Sequence, residues 1–359
     1  MPLKQTTGND SYDAYGGGVA AVPNYIEDVF STYLYTGNGS SQTITNGIDL
    51  AGKGGLVWWK TRSTVDDNLL VDTARGKNYL IRSNTTDAQS DYSSFGGAIG
   101  SFNSNGFTST AVGNNNGATY ASWTFRKAAK FFDIQTFTSD SSKGATVNHN
   151  LGSDPGCIIV KCTGAVESWW VWHRGLTSKS YYLILNETKA QQDGLSLITT
   201  SSTQVVLPSN WLVNANTSYV MYLFAHNAGG FGLTGTDNVI SCGSFISSGG
   251  VDTINLGYEP QWVLYKCATN LSDWRIADTM RGMSIASNTA ILFPNQSSAE
   301  QNAAQFVNPT ATGFQLAAGA TISGETYIYI AIRRGPMKVP TSGTSVFQPS
   351  TTTTNTQTI

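Results

Sequence analysis

The chain has 359 residues, enough for two or three ordinary domains with sizeable buried cores. Its formal net charge is −2 and only 12% of its residues are charged, which excludes the basic footprint of a nucleic-acid-binding protein. Ser, Thr, Asn and Gly supply the polarity, 11% of residues are aromatic, and no apolar stretch is long enough to cross a bilayer as a helix. Aromatics, β-branched residues and turn formers in this mixture point to an all-β protein.

Residues 1–25 begin MPLKQTTGNDSYDAYGGG, which is polar, Gly-rich and without the apolar core of a signal peptide. They are predicted to form an N-terminal arm. From residue 26 onward the same elements recur three times. An opening strand reads VFSTYLYTGNG near Phe30, FFDIQTFTSDS near Phe131 and VISCGSFISSG near Ile240. Next comes an apolar run: LVWWKT, CIIVKC and WVLYKC, whose lysines are Lys60, Lys161 and Lys266. An Arg-Gly pair follows at Arg75, Arg174 and Arg281. A further apolar run ends in NTTDA, NETKA and NQSSA, led by Asn84, Asn186 and Asn295. The unit closes on GATYASWTF, NTSYVMYLF and GETYIYIAI, centred on Tyr120, Tyr219 and Tyr327.

Landmarks repeated in one order at near-constant spacing define tandem copies of a single unit. The boundaries are 26–129, 130–236 and 237–335, and the second joint, NAGGFGLTGTDN at 227–238, reads as a loose Gly-rich linker. Within each copy, short apolar runs alternate with Gly, Asn, Ser and Asp clusters, and helical periodicity is nearly absent. The predicted architecture is therefore three tandem β-sandwich or jelly-roll-like domains, each able to close its own core. Beyond Arg334, Pro336, Pro340 and Pro349 lead into STTTTNTQTI, so 336–359 is expected to be an extended or disordered tail.

Chemistry is sparse along the chain. His173, in WWVWHRG, stands where the other copies have Asp72 and Asp278. This position reads as a strand end bonded to the Arg-Gly turn, with Asp pairing the Arg and Gly taking positive φ. The asparagines read as Asx turns. Cys157, Cys162, Cys242 and Cys267 have no metal-ligand spacing and read as buried free thiols. Asp66-Asp67 is not echoed in the other copies, and there is no phosphate-loop, nucleophile-elbow or zinc-protease motif. No catalytic residue, cofactor or metal is expected. Strand alternation keeps Trp58 and Trp59 out of one core. Trp59, with Trp169, Trp170, Trp172 and Trp274, is a candidate for core packing, for an interface or for stacking against a glycan.

The phrases YTGNGSSQTITNGIDL, GLVWWK, GATYASWTFRKA, FFDIQTFT, HNLGSDPGCIIVKC and TYIYIAIRRGPMKVP are similar to tail-associated proteins of marine bacteriophages, cyanophages among them. Those proteins carry tandem copies of an uncharacterised β-sandwich domain, and the resemblance covers nearly all of 26–340. It implies a non-enzymatic virion protein of the tail (a fibre, fibre base or tip component) that assembles in the host bacterial cytoplasm and contributes to host attachment. The implied partners are further copies of itself in a trimer or ring, other tail proteins, and a host glycan or outer-membrane protein, with no nucleic acid and no membrane insertion. It transfers no site residues. Competing readings are a capsid decoration or head-fibre protein, and a polysaccharide depolymerase, which would need paired acids that the repeats do not supply.

Overall fold

The computed structural model describes residues 24–338 apart from 195, 285–287 and 304–305. The expected N-terminal arm up to residue 23, and the C-terminal tail from 339, lie outside the described residues. Copy 1 contains β1 (Phe30–Thr36), β2 (Gln42–Thr45), β3 (Gly55–Thr61), β4 (Leu69–Asp72), β5 (Tyr79–Arg82), β6 (Ser90–Asp91), β7 (Ile99–Asn103), β8 (Gly106–Ser109) and β9 (Thr119–Arg126). Copy 2 contains β10 (Phe132–Thr138), β11 (Ala145–Asn148), β12 (Pro155–Cys162), β13 (Trp170–His173), β14 (Leu183–Ile184), β15 (Thr199–Thr200), β16 (Gln204–Leu207) and β17 (Ser218–Ala225). Copy 3 contains β18 (Ile240–Ile246), β19 (Asp252–Asn255), β20 (Pro260–Cys267), β21 (Arg275–Asp278), β22 (Thr289–Ile291), β23 (Gln301–Ala303), β24 (Val307–Thr310), β25 (Gly313–Leu316) and β26 (Thr326–Arg333).

Each copy is an antiparallel sandwich. Its large sheet places the closing strand between the opening and central strands, in the orders β1-β9-β3-β4-β5-β6, β10-β17-β12-β13-β14 and β18-β26-β20-β21. A small sheet covers one face, in the orders β2-β8-β7, β11-β16-β15 and β19-β25-β24. In copy 1 the core between the two sheets joins Ile44, Ile99 and Phe107 of the small sheet to Val57, Trp59, Val71 and Tyr120 of the large one.

The other face of the large sheet is equally apolar. All seven residues of β3 are buried, which a sandwich with one wet face does not require. Leu56, Trp58, Leu70, Trp123 and Phe125 point away from their own small sheet. They join Phe132, Ile159 and Phe224 of copy 2 and Trp262, Leu264 and Ile330 of copy 3 in one continuous cluster. The closing strand of copy 3 divides in the same way: Tyr327, Tyr329 and Ala331 line its own core. Ile328, Ile330 and Ile332 belong to the shared one.

At the centre of that shared core, matching ladder positions carry different side chains. Phe30, Phe125 and Leu56 are in register in copy 1, and Phe132, Phe224 and Cys157 in copy 2. Ile240, Ile332 and Trp262 take these places in copy 3. The Phe125 ring lies 5.0 Å from Phe30, 5.4 Å from Phe132, 5.8 Å from Phe224 and 5.7 Å from Trp262, so one side chain touches all three copies. Large and small side chains complement one another across the copies, as close packing of an interior demands.

The expected loose linker is instead a folded turn. Gly230 N–H donates to Gly235 O at 2.7 Å and Asp237 N–H to Phe231 O at 3.0 Å. Phe231 is fully buried, with its ring 6.3 Å from Phe131. The glycines at 229, 230, 232 and 235 all adopt positive φ, so here they build tight turns around an aromatic anchor rather than slack. The described ends meet as well: Ile26 N–H donates to Pro336 O at 3.1 Å, and Gly232 N–H to Asn24 O at 2.8 Å.

Replacing Phe125→Ala is expected to cost about 3–5 kcal/mol. Urea denaturation should show an earlier midpoint within a single transition. A cost below 1 kcal/mol, or a transition that splits in two, would contradict the shared core.

Candidate functional site

The landmark residues converge on the seams between copies. Lys60 lies two positions from Trp58 on β3, so alternation aims it at the shared face, where it is fully buried. Its ammonium donates to Thr61 O at 3.2 Å and, across the seam, to Ser297 O of copy 3 at 3.1 Å. Lys161 donates to Glu167 O at 2.6 Å and to Thr86 O of copy 1 at 2.9 Å. Lys266 donates to Ser272 O at 2.5 Å and to Thr188 O of copy 2 at 3.0 Å. Thr86, Thr188 and Ser297 each stand two residues past a landmark asparagine. Copy 1 thus holds copy 3, copy 2 holds copy 1, and copy 3 holds copy 2. The pattern is cyclic and closed.

Other bonds repeat the same cycle. The carbonyls that accept from the lysines also accept the N–H groups of Asp66, Glu167 and Ser272, at 2.9, 2.8 and 2.9 Å. Trp169 Nε1–H donates to Arg82 O and Trp274 Nε1–H to Ile184 O, both at 2.9 Å. The equivalent residue of copy 1, Asn68, donates through Nδ2 to Phe293 O at 2.9 Å. A second cycle ties the strand ends together. Asp72 accepts from Tyr222 OH of copy 2 at 2.8 Å, and Asp278 from Trp123 Nε1–H of copy 1 at 3.0 Å. His173 Nε2 lies 3.0 Å from Tyr329 O of copy 3.

The asparagines do not form the expected Asx turns. Asn84, Asn186 and Asn295 reach back through Oδ1 to accept the N–H of Asn68, Trp169 and Trp274, at 2.8, 2.8 and 3.0 Å. Each satisfies a backbone donor just ahead of the strand edge it abuts, which positions the side chain that crosses the seam. The tyrosines act within a copy. The hydroxyls of Tyr120, Tyr219 and Tyr327 accept the N–H groups of Asn115, Asn214 and Ile322, at 2.9, 3.1 and 3.0 Å. Their rings stack on Tyr35, Phe137 and Phe245.

The Arg-Gly landmark holds in two copies only. Arg75 pairs with Asp72 at 2.7 Å and Arg281 with Asp278 at 2.6 Å, while Gly76 and Gly282 adopt φ of 93° and 103°. In copy 2 the turn is shorter, Gly175 is not at positive φ, and Arg174 is exposed rather than folded back. There His173 Nδ1 accepts the Gly175 N–H at 3.0 Å, so Nε2 carries the proton given to Tyr329 O. Burial pushes the His173 pKa down to about 3, so the ring is neutral.

Of the readings open for the tryptophans, these residues take core packing and, for Trp169 and Trp274, contact between copies. Trp59 sits in the core of copy 1, away from any seam, and Trp169, Trp172 and Trp274 are buried as well. None of the four is more than 5% exposed, so none offers an open ring face for stacking a sugar, although Trp172 reaches the lining of a surface cleft. Trp170 is half-buried, bonded to Glu167 Oε1 at 2.7 Å, with Tyr182 and Trp211 rings at 4.7 and 5.9 Å. The four cysteines are buried free thiols. Among the described residues, no group of three or more His, Cys, Asp or Glu is placed to hold a metal ion.

Sequence reasoning missed the cyclic partnership of the lysines; the one signal for it was a lysine repeated at the end of each buried strand. Burial pushes all three lysines down to about 8 from 10.5. Below pH 8 the folded state carries the full cost of the buried charge. Between about 8 and 10.5 the folded amine is neutral while the unfolded one stays charged, so stability is gained as pH rises. The stability of wild type relative to Lys161→Met should therefore climb through that window and stay flat below it. A difference that is constant with pH would contradict a charged lysine in the seam.

No curated protein matches the chain. A solved structure titled "Crystal Structure of the STIV MCP" is 7% identical and covers 56% of this chain and 95% of that one, at a TM-score of 0.19, too low to inform the fold. A family model described as "Domain of unknown function (DUF7483)" matches residues 26–336, a span that takes in all three copies and every seam between them. The chain belongs to the DUF7483 family.

Proposed function

We propose that this protein is a non-enzymatic structural component of a bacteriophage virion, placed on the tail as part of a fibre, fibre base or tip. The observation that carries this reading is the closed three-copy body, which gives one chain the shape that a tail knob otherwise obtains from three subunits. Both described ends leave from the end that holds the joints between copies. The loops that follow the landmark lysines lie at the opposite end. There Val65, Val166 and Leu271 occupy equivalent positions and are 73%, 69% and 67% exposed. One end is thus suited to anchoring through residues 1–23 and 339–359, and the other to contact with a host glycan or outer-membrane protein. The free thiols fit assembly in a reducing host cytoplasm. Self-association would add copies of a body whose cores are already closed within one chain.

A capsid decoration protein is the second reading, because a body with threefold-like symmetry also fits a threefold lattice position. Cryo-electron microscopy of the virion tests both. Density for this chain on the tail is expected. Density on the capsid lattice would overturn the tail placement, and absence from the particle would overturn the virion reading altogether.

A further inference from the structure

In copies 1 and 3 the end of the fourth large-sheet strand is sealed by its own arginine. The Arg75 and Arg281 side chains are 4% and 0% exposed against fully buried aspartates. Copy 2 lacks both halves of this seal. Asp is replaced by His173, whose two ring nitrogens are already engaged with Tyr329 O and Gly175 N–H. The turn from this position to the arginine is also shorter, since Arg174 follows His173 directly, whereas Arg75 and Arg281 stand three residues beyond their aspartates. The guanidinium therefore lies at the surface with no ion pair among the described residues.

Beside it lies a cleft of about 620 Å³ on copy 2, lined among others by Asp154, Arg174, Ser178, Lys179, His226 and Asn227. Its volume falls in the range of small-molecule sites. Its chemistry is specific in two respects. Two cations, Arg174 and Lys179 (its ammonium 3.3 Å from Thr200 Oγ1), line the cleft with one carboxylate, Asp154, which leaves excess positive charge for an oxyanion. An arginine fork matches the planar geometry of a carboxylate. The lining also carries hydroxyl, amide and imidazole groups, which exchange hydrogen bonds with sugar hydroxyls, beside the apolar Pro155, Trp172, Leu176 and Ala228.

We propose that this cleft binds an acidic saccharide, its carboxylate held by Arg174 and Lys179 and its hydroxyls by Asp154, Ser178 and Asn227. The proposal goes beyond the tail reading and does not depend on it, because binding to the purified chain is indifferent to where the chain sits in a particle. Isothermal titration of the full-length protein at low salt with glucuronate, galacturonate and N-acetylneuraminate, each beside its methyl ester, provides the test. At least one free acid should bind at least ~10-fold more tightly than its ester, and Arg174→Ala should remove that preference. Lys179→Ala should weaken binding by a smaller factor, and both variants should keep the wild-type melting temperature, since both side chains are exposed. No binding by any of the acids, equal binding of acid and ester, or unchanged binding by Arg174→Ala would each overturn the proposal.

Discussion

A sheet with two apolar faces and a cover for only one of them must bury the other against something. In this chain each large sheet is such a sheet, and the rest of the structure follows from that shortage. The small sheets cover the faces that carry Val57, Trp59 and Val71 and their counterparts. The faces that carry Trp58, Trp123 and Phe125 find cover only in one another. Three such faces turned on a common centre leave no apolar face over, which is why the arrangement closes at three copies.

Around that core the copies are held by two kinds of contact that follow opposite rules. Along the seams the polar bonds are nearly identical, copy to copy: a buried lysine, a shared carbonyl and a side-chain donor to a strand end. Backbone partners change little when side chains do, so these contacts survive divergence. At the centre the side chains differ, with Phe and Leu in copy 1, Phe and Cys in copy 2, and Ile and Trp in copy 3. The seams fix the geometry, and the centre fixes which copy stands where. Exchanging two copies would keep every backbone bond and ruin the packing.

Much of this was legible from the chain, and the failures have physical causes. The three copies, their order of strands and the split between Ile328, Ile330 and Ile332 on one face and Tyr327 and Tyr329 on the other all follow from repetition and alternation. Alternation put Trp58 and Trp59 on opposite faces, but it does not say whether the second face is exposed or which copy covers it. Lysine is a surface residue by default, so its repetition at three buried strand ends was the one signal, and composition argued against reading it as burial. The Arg174-Gly175 dipeptide matched its counterparts by letter while the turn before it had shortened, which put Arg174 outside, in the lining of the cleft. The 227–238 segment looked slack by composition, yet Phe231 within it is an anchor.

The shared core makes the three copies one cooperative unit. Native-state hydrogen exchange of the intact chain under mild denaturant tests it most directly, reading the amides of β3, β12 and β20 separately. All three should exchange through the same global opening, with one free energy and one denaturant dependence. Exchange of one central strand at a distinctly lower free energy, while the other two stay protected, would mean that a copy can leave without the others and would contradict the shared core.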